Sequence, residues 1–188
     1  MLIFQDAANI EAAYRTFSTH WHGPRKPLDH RDLLNYLSES RYLVDAFCYL
    51  PIDPRRPMER SGVIEHYWES GWHVQEKMGK IAGDSYKCNV DVEMALDIID
   101  LCRDIRPDTV VICSGDEDFL PLVSRLRRLG IRVEIASFSG STARALCRQA
   151  SGFVNLDIYA QEWLTHQTEL EGFEANYDDP TGFNEDEG

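Results

Sequence analysis

Thr109-Val110-Val111-Ile112-Cys113-Ser114-Gly115-Asp116-Glu117-Asp118-Phe119 is the stretch on which the reading of the chain turns. Its first five residues are apolar or β-branched, the composition of a buried strand. Ser114-Gly115 is a turn signal. From Phe119, the apolar residues Leu122, Val123, Leu126 and Leu129 recur at helical spacing, and Gly130 ends the pattern as a helix cap. Two carboxylates, Asp116 and Asp118, therefore stand where a strand passes into a helix. In open α/β sheets that is the usual position of a ligand site. Asp118 also suits an N-cap for a helix starting at Phe119, with Pro121 in its first turn.

The N-terminus repeats the arrangement. Leu2-Ile3-Phe4 reads as a short strand ending at Asp6, and Asn9 follows at the start of a helical pattern, Ile10, Ala13, Tyr14 and Phe17. A loop over 18–28 carries His20, Trp21 and His22, and Asp29 then caps a helix with Leu33, Leu34 and Leu37. A strand over 42–50 leads into a proline-rich basic loop with Arg55 and Arg56. A helix over 58–70, a strand over 72–77 and a polar loop over 78–86 come next. The clearest helix covers 89–105: Val90, Met94, Ile98, Leu101 and Ile105 form an apolar stripe. Glu93, Asp97, Asp100 and Asp104 form an acidic one, and Asp91 lies in the first turn. After the central strand and its helix, the pattern predicts a strand over 132–138, a helix over 141–150 and a short strand over 153–156. Tyr159, Trp163 and Leu164 mark a closing helix. This alternation predicts a three-layer α/β sandwich with a mainly parallel central sheet.

The 188 residues suffice for one domain with a substantial core. No apolar run is long enough to cross a bilayer, and no basic region precedes the apolar start, so neither a membrane span nor a secretory signal is expected. Five cysteines without a Cys-x-x-Cys pair read as free thiols in a reducing cytoplasm. Net charge is −13, but it is uneven. From Glu169 onward there are eight acidic residues and no basic one, which leaves the first 168 residues at −5. We therefore expect a domain over 1–165 and an acidic, disordered tail over 166–188. A basic footprint for tight, non-specific duplex binding is absent overall, which leaves room for a local basic rim.

Asp6, Asp116 and Asp118 are expected at the carboxyl ends of two strands, and Asp91, at a helix start, can face the same end. Two like charges about 4 Å apart repel by roughly 4 kcal/mol at an effective dielectric near 20. A hard cation removes that penalty. Oxygen ligands without His or Cys suit Mg²⁺ or Mn²⁺ rather than zinc. Such an ion favours phosphodiester hydrolysis.

Three motifs together resemble the LabA-like NYN domains of the PIN-like nuclease superfamily. They are Phe4-Gln-Asp6-Ala-Ala-Asn9, Lys87-Cys-Asn-Val-Asp91-Val-Glu-Met-Ala-Leu-Asp97 and Ser114-Gly-Asp116-Glu-Asp118-Phe119-Leu-Pro-Leu-Val. The resemblance spans about residues 1–160. It implies a PIN-like sheet and a metal-dependent ribonuclease with an acidic pocket. Carried over by motif, Asp6, Asp91, Asp116 and Asp118 are the metal-site and catalytic acids, and Asn9 is their polar partner. Asn9, Ser114, Lys87, Arg55 and Arg56 are the expected substrate contacts. Asp97 also matches the pattern, yet it shares a helix face with other acids and reads equally well as solvated.

Two readings of function compete. The first is a Mg²⁺- or Mn²⁺-dependent endoribonuclease acting on single-stranded or structured RNA. The second is a catalytically weak or inactive regulator of the same fold that binds RNA or a protein partner. Departures from the family pattern at Cys88-Asn89, where it often reads Lys-Gly, and at Ser151-Gly152, where an acid is common, favour the second. A homodimer and a protein partner for the acidic tail are left open, and no membrane partner is expected. A nucleotide-binding switch or dehydrogenase is disfavoured, because neither glycine-rich phosphate motif is present.

Overall fold

The computed structural model describes residues 1–23 and 26–177, with side chains up to residue 170. The chain runs β1 (Leu2–Asp6), α1 (Ala7–Ser18), α2 (His30–Ser38), β2 (Asp45–Ile52), α3 (Ser61–Glu69) and β3 (His73–Met78). A small ribbon follows, β4 (Lys80–Ala82) and β5 (Ser85–Lys87), then α4 (Val90–Ile105) and β6 (Thr109–Cys113). A 3-10 turn (Glu117–Phe119) leads into α5 (Leu120–Arg128), and β7 (Arg132–Ser137) follows. A second 3-10 turn (Ser139–Ser141), α6 (Arg144–Gln149), β8 (Gly152–Asn155) and α7 (Leu156–Tyr177) complete the chain.

Six strands form one sheet in the order β3-β2-β1-β6-β7-β8, and every pairing in it is parallel. Parallel strands covered on both faces read as continuous apolar runs, which is why Leu2-Ile3-Phe4 and Val110-Val111-Ile112 show no polar alternation. The two faces hold two separate cores. Ile3, Val111 and Cys113 pack with Ile10, Leu33, Leu37, Tyr67 and Tyr159, from α1, α2, α3 and α7. Leu2, Phe4, Val110 and Ile112 pack with Met94, Ile98, Leu122, Val123, Leu126 and Leu146, from α4, α5 and α6. The expected three-layer α/β sandwich with a parallel central sheet is the observed architecture. All five cysteines are free, and Cys48, Cys102 and Cys113 are buried. Among the described residues no helix is long and apolar enough to cross a membrane.

Several boundaries differ from the sequence reading. Residues 78–86, read as a polar loop, contain the antiparallel β4–β5 ribbon. Its turn is Gly83-Asp84, with Gly83 at φ +63°, a left-handed geometry that suits glycine in a two-residue hairpin. The closing helix continues to Tyr177, past the domain boundary drawn at 165. The rest of the acidic stretch, residues 178–188, lies outside the described residues.

Strand order places the site. From β1 the chain moves outward to β2 and β3. It then crosses to β6 on the other side of β1 and moves outward to β7 and β8. The order therefore reverses between β1 and β6, and beyond the carboxyl ends of strands at such a reversal is where open α/β sheets bind their ligands. Gly115 sits at that split. A Cβ on it would stand 2.3 Å from Ser141 O and 3.0 Å from Ser137 Oγ, so only glycine lets the tip of β6 seat against the turn after β7. Gly115→Ala should cost about 1–3 kcal/mol through this overpacking. Chemical denaturation measures it, and an unchanged midpoint would show that the contact is not tight.

Candidate active site

Asp6 ends β1 and caps α1, accepting a hydrogen bond from Asn9 N at 3.1 Å. Asn9 then reaches across the split. Its Oδ1 accepts from Gly115 N at 3.0 Å, so one side chain fixes the spacing of the two strand tips. Beyond β6 the buried Ser114 accepts from Asp116 N through Oγ at 3.2 Å, and Asp116 Oδ1 accepts from Asp118 N at 3.0 Å. Here the sequence reading needs correcting: the residue that caps is Asp116, not Asp118. A 3-10 turn intervenes before α5, so the first unpaired amide within reach of a carboxylate is that of Asp118 itself.

Asp6 senses the charges around it. Its carboxyl is held above the ordinary range, first by burial and then by repulsion from Asp116 and, more weakly, Asp91. The amides of Asn9 and Ala8 oppose the shift. The structure thus brings Asp6, Asp91 and Asp116 into one electrostatic neighbourhood from three different elements. Asp118 is exposed, and the charges that act on Asp6 are those of Asp116 and Asp91. Among the described residues, no lysine or arginine forms an ion pair with Asp6, Asp91 or Asp116. The nearby cation Lys77 is spent elsewhere, on Glu93 at 2.5 Å and on Asn89 O at 3.0 Å.

The basic residues occupy the same edge of the sheet without joining the acids. Arg55 grips Asp53 through Nε at 2.9 Å and Nη2 at 2.6 Å, and its Nη1 donates to Asp84 O at 2.8 Å. It therefore ties the loop after β2 to the β4–β5 turn. Arg56 pairs with Glu59 at 3.6 Å, both exposed. Lys87 is exposed on β5, opposite Lys80.

Two participants carried little signal in the sequence. Tyr49, in register with Asp6 on the adjacent strand, donates its hydroxyl to Asp97 Oδ2 at 2.9 Å. Burial and Asp97 both push the phenol upward, so it stays a donor. Asp97 thus has a partner in the site's wall, beyond the solvated-face reading. Lys77 was recognisable only as a cation at a strand's carboxyl end.

Among the described residues, no three Asp, Glu, His or Cys side chains stand close enough together to hold a metal ion as an all-protein cage. The donor set is oxygen-only. Mg²⁺ commonly uses one or two carboxylates and completes its shell with water and substrate phosphate. Asp6 and Asp116, mutually repelling and lacking a cationic partner, fit that demand.

An NYN domain model matches residues 1–157, and the chain belongs to the NYN domain family. It is LabA-like within that family. It is 27% identical over 138 residues to the "Low amplitude and bright protein LabA" of Synechococcus elongatus, covering 69% of this chain and 72% of that one. Among solved structures it resembles VPA0982 of Vibrio parahaemolyticus, a protein of unknown function. The TM-score is 0.66 at 25% identity, over 82% of this chain and 91% of that one.

The charge balance makes a stability prediction. Folded Asp6 holds its proton more tightly than the unfolded chain does. Stability therefore falls as pH rises from the unfolded value toward the folded one, and the loss persists at neutral pH. Asn at this position keeps the cap and drops the charge. In metal-free buffer, Asp6→Asn should raise Tm at neutral pH, and the gain should shrink toward about pH 4. Thermal scans across that range check it; a Tm lowered at pH 7 contradicts the proposed repulsion.

Proposed function

We propose that this chain is a divalent-metal-dependent endoribonuclease whose pocket lies at the split between β1 and β6. The observation that supports the reading is that the charges of Asp116 and Asp91 both act on Asp6, with no lysine or arginine paired to any of the three among the described residues. Such a cluster is costly unless a cation joins it. Asp6 and Asp116 would hold Mg²⁺ or Mn²⁺, and Asp91 would add charge from the first turn of α4. When bound, the ion polarises a phosphoryl oxygen and lowers the pKa of a water.

The chain's own groups supply the rest. Asn9 keeps the β1 and β6 tips at a fixed separation, so the two principal carboxylates cannot drift apart under their repulsion. Ser114 holds the Asp116 amide, and Asp116 in turn holds that of Asp118. Asp118 stands at the rim as an outer acid. Asp91 is the acceptor for the proton that an attacking water gives up. Arg56 and Lys87, exposed along the same edge, offer phosphate contacts to the strand flanking the scissile bond. Arg55 organises that rim through Asp53 and Asp84. RNA in single-stranded or flexible form is the substrate class, since its backbone can bend into a crevice at the edge of a sheet.

The second reading, a regulator that binds RNA without cutting it, shares the fold and the basic rim and differs only in turnover. Asp116→Asn separates them, because Asn can still accept from the Asp118 amide and the fold is kept. Cleavage of a labelled single-stranded RNA in Mn²⁺ should fall by about 100-fold or more, the scale typical for loss of a group that stabilises transition-state charge. Cleavage unchanged in Asp116→Asn overturns the proposal. Binding without cleavage in the parent chain supports the regulator.

A further inference from the structure

A second concavity lies beside the acidic pocket and takes no part in the chemistry above. It is a cavity of about 350 Å³ between the C-terminal half of α1 and the turn after β7. Its walls include Phe17, His20, Trp21, Phe138, Ser139 and Asp157. Phe138 is buried and anchors one side, with its ring centroid 5.5 Å from that of Phe17. The rim is polar. Asp157 is held in place by Ser139, whose hydroxyl donates to Oδ2 and whose amide donates to Oδ1 at 3.3 Å. The Trp21 indole nitrogen is enclosed and has no hydrogen-bond partner among the described residues.

An aromatic, largely apolar interior with a fixed carboxylate at its mouth suits a flat heterocycle that carries N–H groups on its edge. We propose that this cavity receives an unpaired base of the RNA strand, stacked on Trp21 and Phe17, with its donor edge turned to Asp157. The inference rests on the nuclease reading for the identity of the strand. What links the two sites is the chain itself. The turn that lines the cavity at Ser139 presses on the tip of β6 at Ser141, against Gly115 and one residue from Asp116. Along α1, Asn9 is bonded at that same tip, and Phe17 lies eight residues on, about 12 Å away at the helical rise. A strand with a phosphate at the acids therefore has a neighbouring base within reach of the cavity. A base inside a duplex is stacked and paired and cannot enter without being extruded. The cavity thus selects single-stranded RNA. It also gives Trp21 and His20 a role that the acidic pocket does not.

The test is a binding titration on the full chain carrying Asp116→Asn, so that cleavage does not interfere. The probe is a labelled single-stranded RNA of about twelve nucleotides, within the footprint of common single-strand binders. Adding Trp21→Ala should weaken binding about tenfold, the scale of one lost base–aromatic stack. Trp21→Phe should restore most of it, and a duplex of the same sequence should bind more weakly than the single strand. A strand containing 4-thiouridine, irradiated with the chain otherwise intact, should cross-link to the cavity wall, within residues 13–21 or 138–141 or at Asp157, a readout that does not depend on how the Trp21→Ala chain folds. Equal affinity with Trp21→Ala, equal affinity for duplex, absence of RNA binding, or cross-links confined elsewhere each overturn the base pocket. RNA binding that depends on Trp21 in a chain that never cleaves leaves the pocket standing and removes the nuclease. Cleavage that ignores Trp21→Ala does the reverse.

Discussion

The carboxylates of Asp6, which ends β1, and Asp116, three residues beyond β6, repel one another across the split between two adjacent parallel strands. β1 and β6 are hydrogen-bonded neighbours along their length, and the chain departs from them in opposite directions. Asp6 and Asp116 are therefore delivered to one crevice by the sheet itself. Left alone they would push the tips apart. The Asn9 side chain opposes this by bonding the Gly115 amide, and Gly115 lacks a side chain so that the turn after β7 can close behind it. Among the described residues, no lysine or arginine pairs with Asp6 or Asp116. Lys77, the cation at the end of β3, is engaged by Glu93 and Asn89. The proton affinity of Asp6 is raised first by its burial and then by Asp116 and Asp91.

Seen this way, the same strand ends serve two chemistries. The face toward α4 collects Asp6, Asp91 and, through Tyr49, Asp97. The face toward α1 and α7 collects aromatic rings around the cavity at Trp21. The acids and the aromatic cavity thus lie on opposite faces of the sheet, and the turns at the tips of β6 and β7 connect them. This division suits a substrate whose backbone is anionic and whose bases are flat and apolar. VPA0982 shares this architecture at 25% identity.

Much of this was legible in the sequence because burial on both faces leaves an unmistakable mark. Runs such as Val110-Val111-Ile112 have few other places to go, and an acid directly after such a run can only lie at a strand tip. The helix of residues 90–105 was equally plain from its apolar stripe. The β4–β5 ribbon was missed because its strands are three residues each and flanked by lysines, although Gly83-Asp84 carried a hairpin signal. The exchange of roles between Asp116 and Asp118 was illegible, because both are good caps and only the inserted 3-10 turn decides between them. Arg55, expected as a substrate contact, is bound twice in the fold: to Asp53, two residues away, and to Asp84 O, which comes within reach only when β2 and the ribbon come together. Tyr49 gave no signal at all: a tyrosine in an apolar strand reads as core until the register sets it beside Asp6.

The central claim is that these acids await a doubly charged ion. Crystals soaked in Mn²⁺ and measured for anomalous scattering test it directly, because the signal locates the metal without reference to activity. The account predicts a peak within ligating distance of Asp6 and Asp116, on the Asp91 side of the split. Ordered crystals showing manganese bound only elsewhere, with Asp6 and Asp116 left unligated, would contradict it.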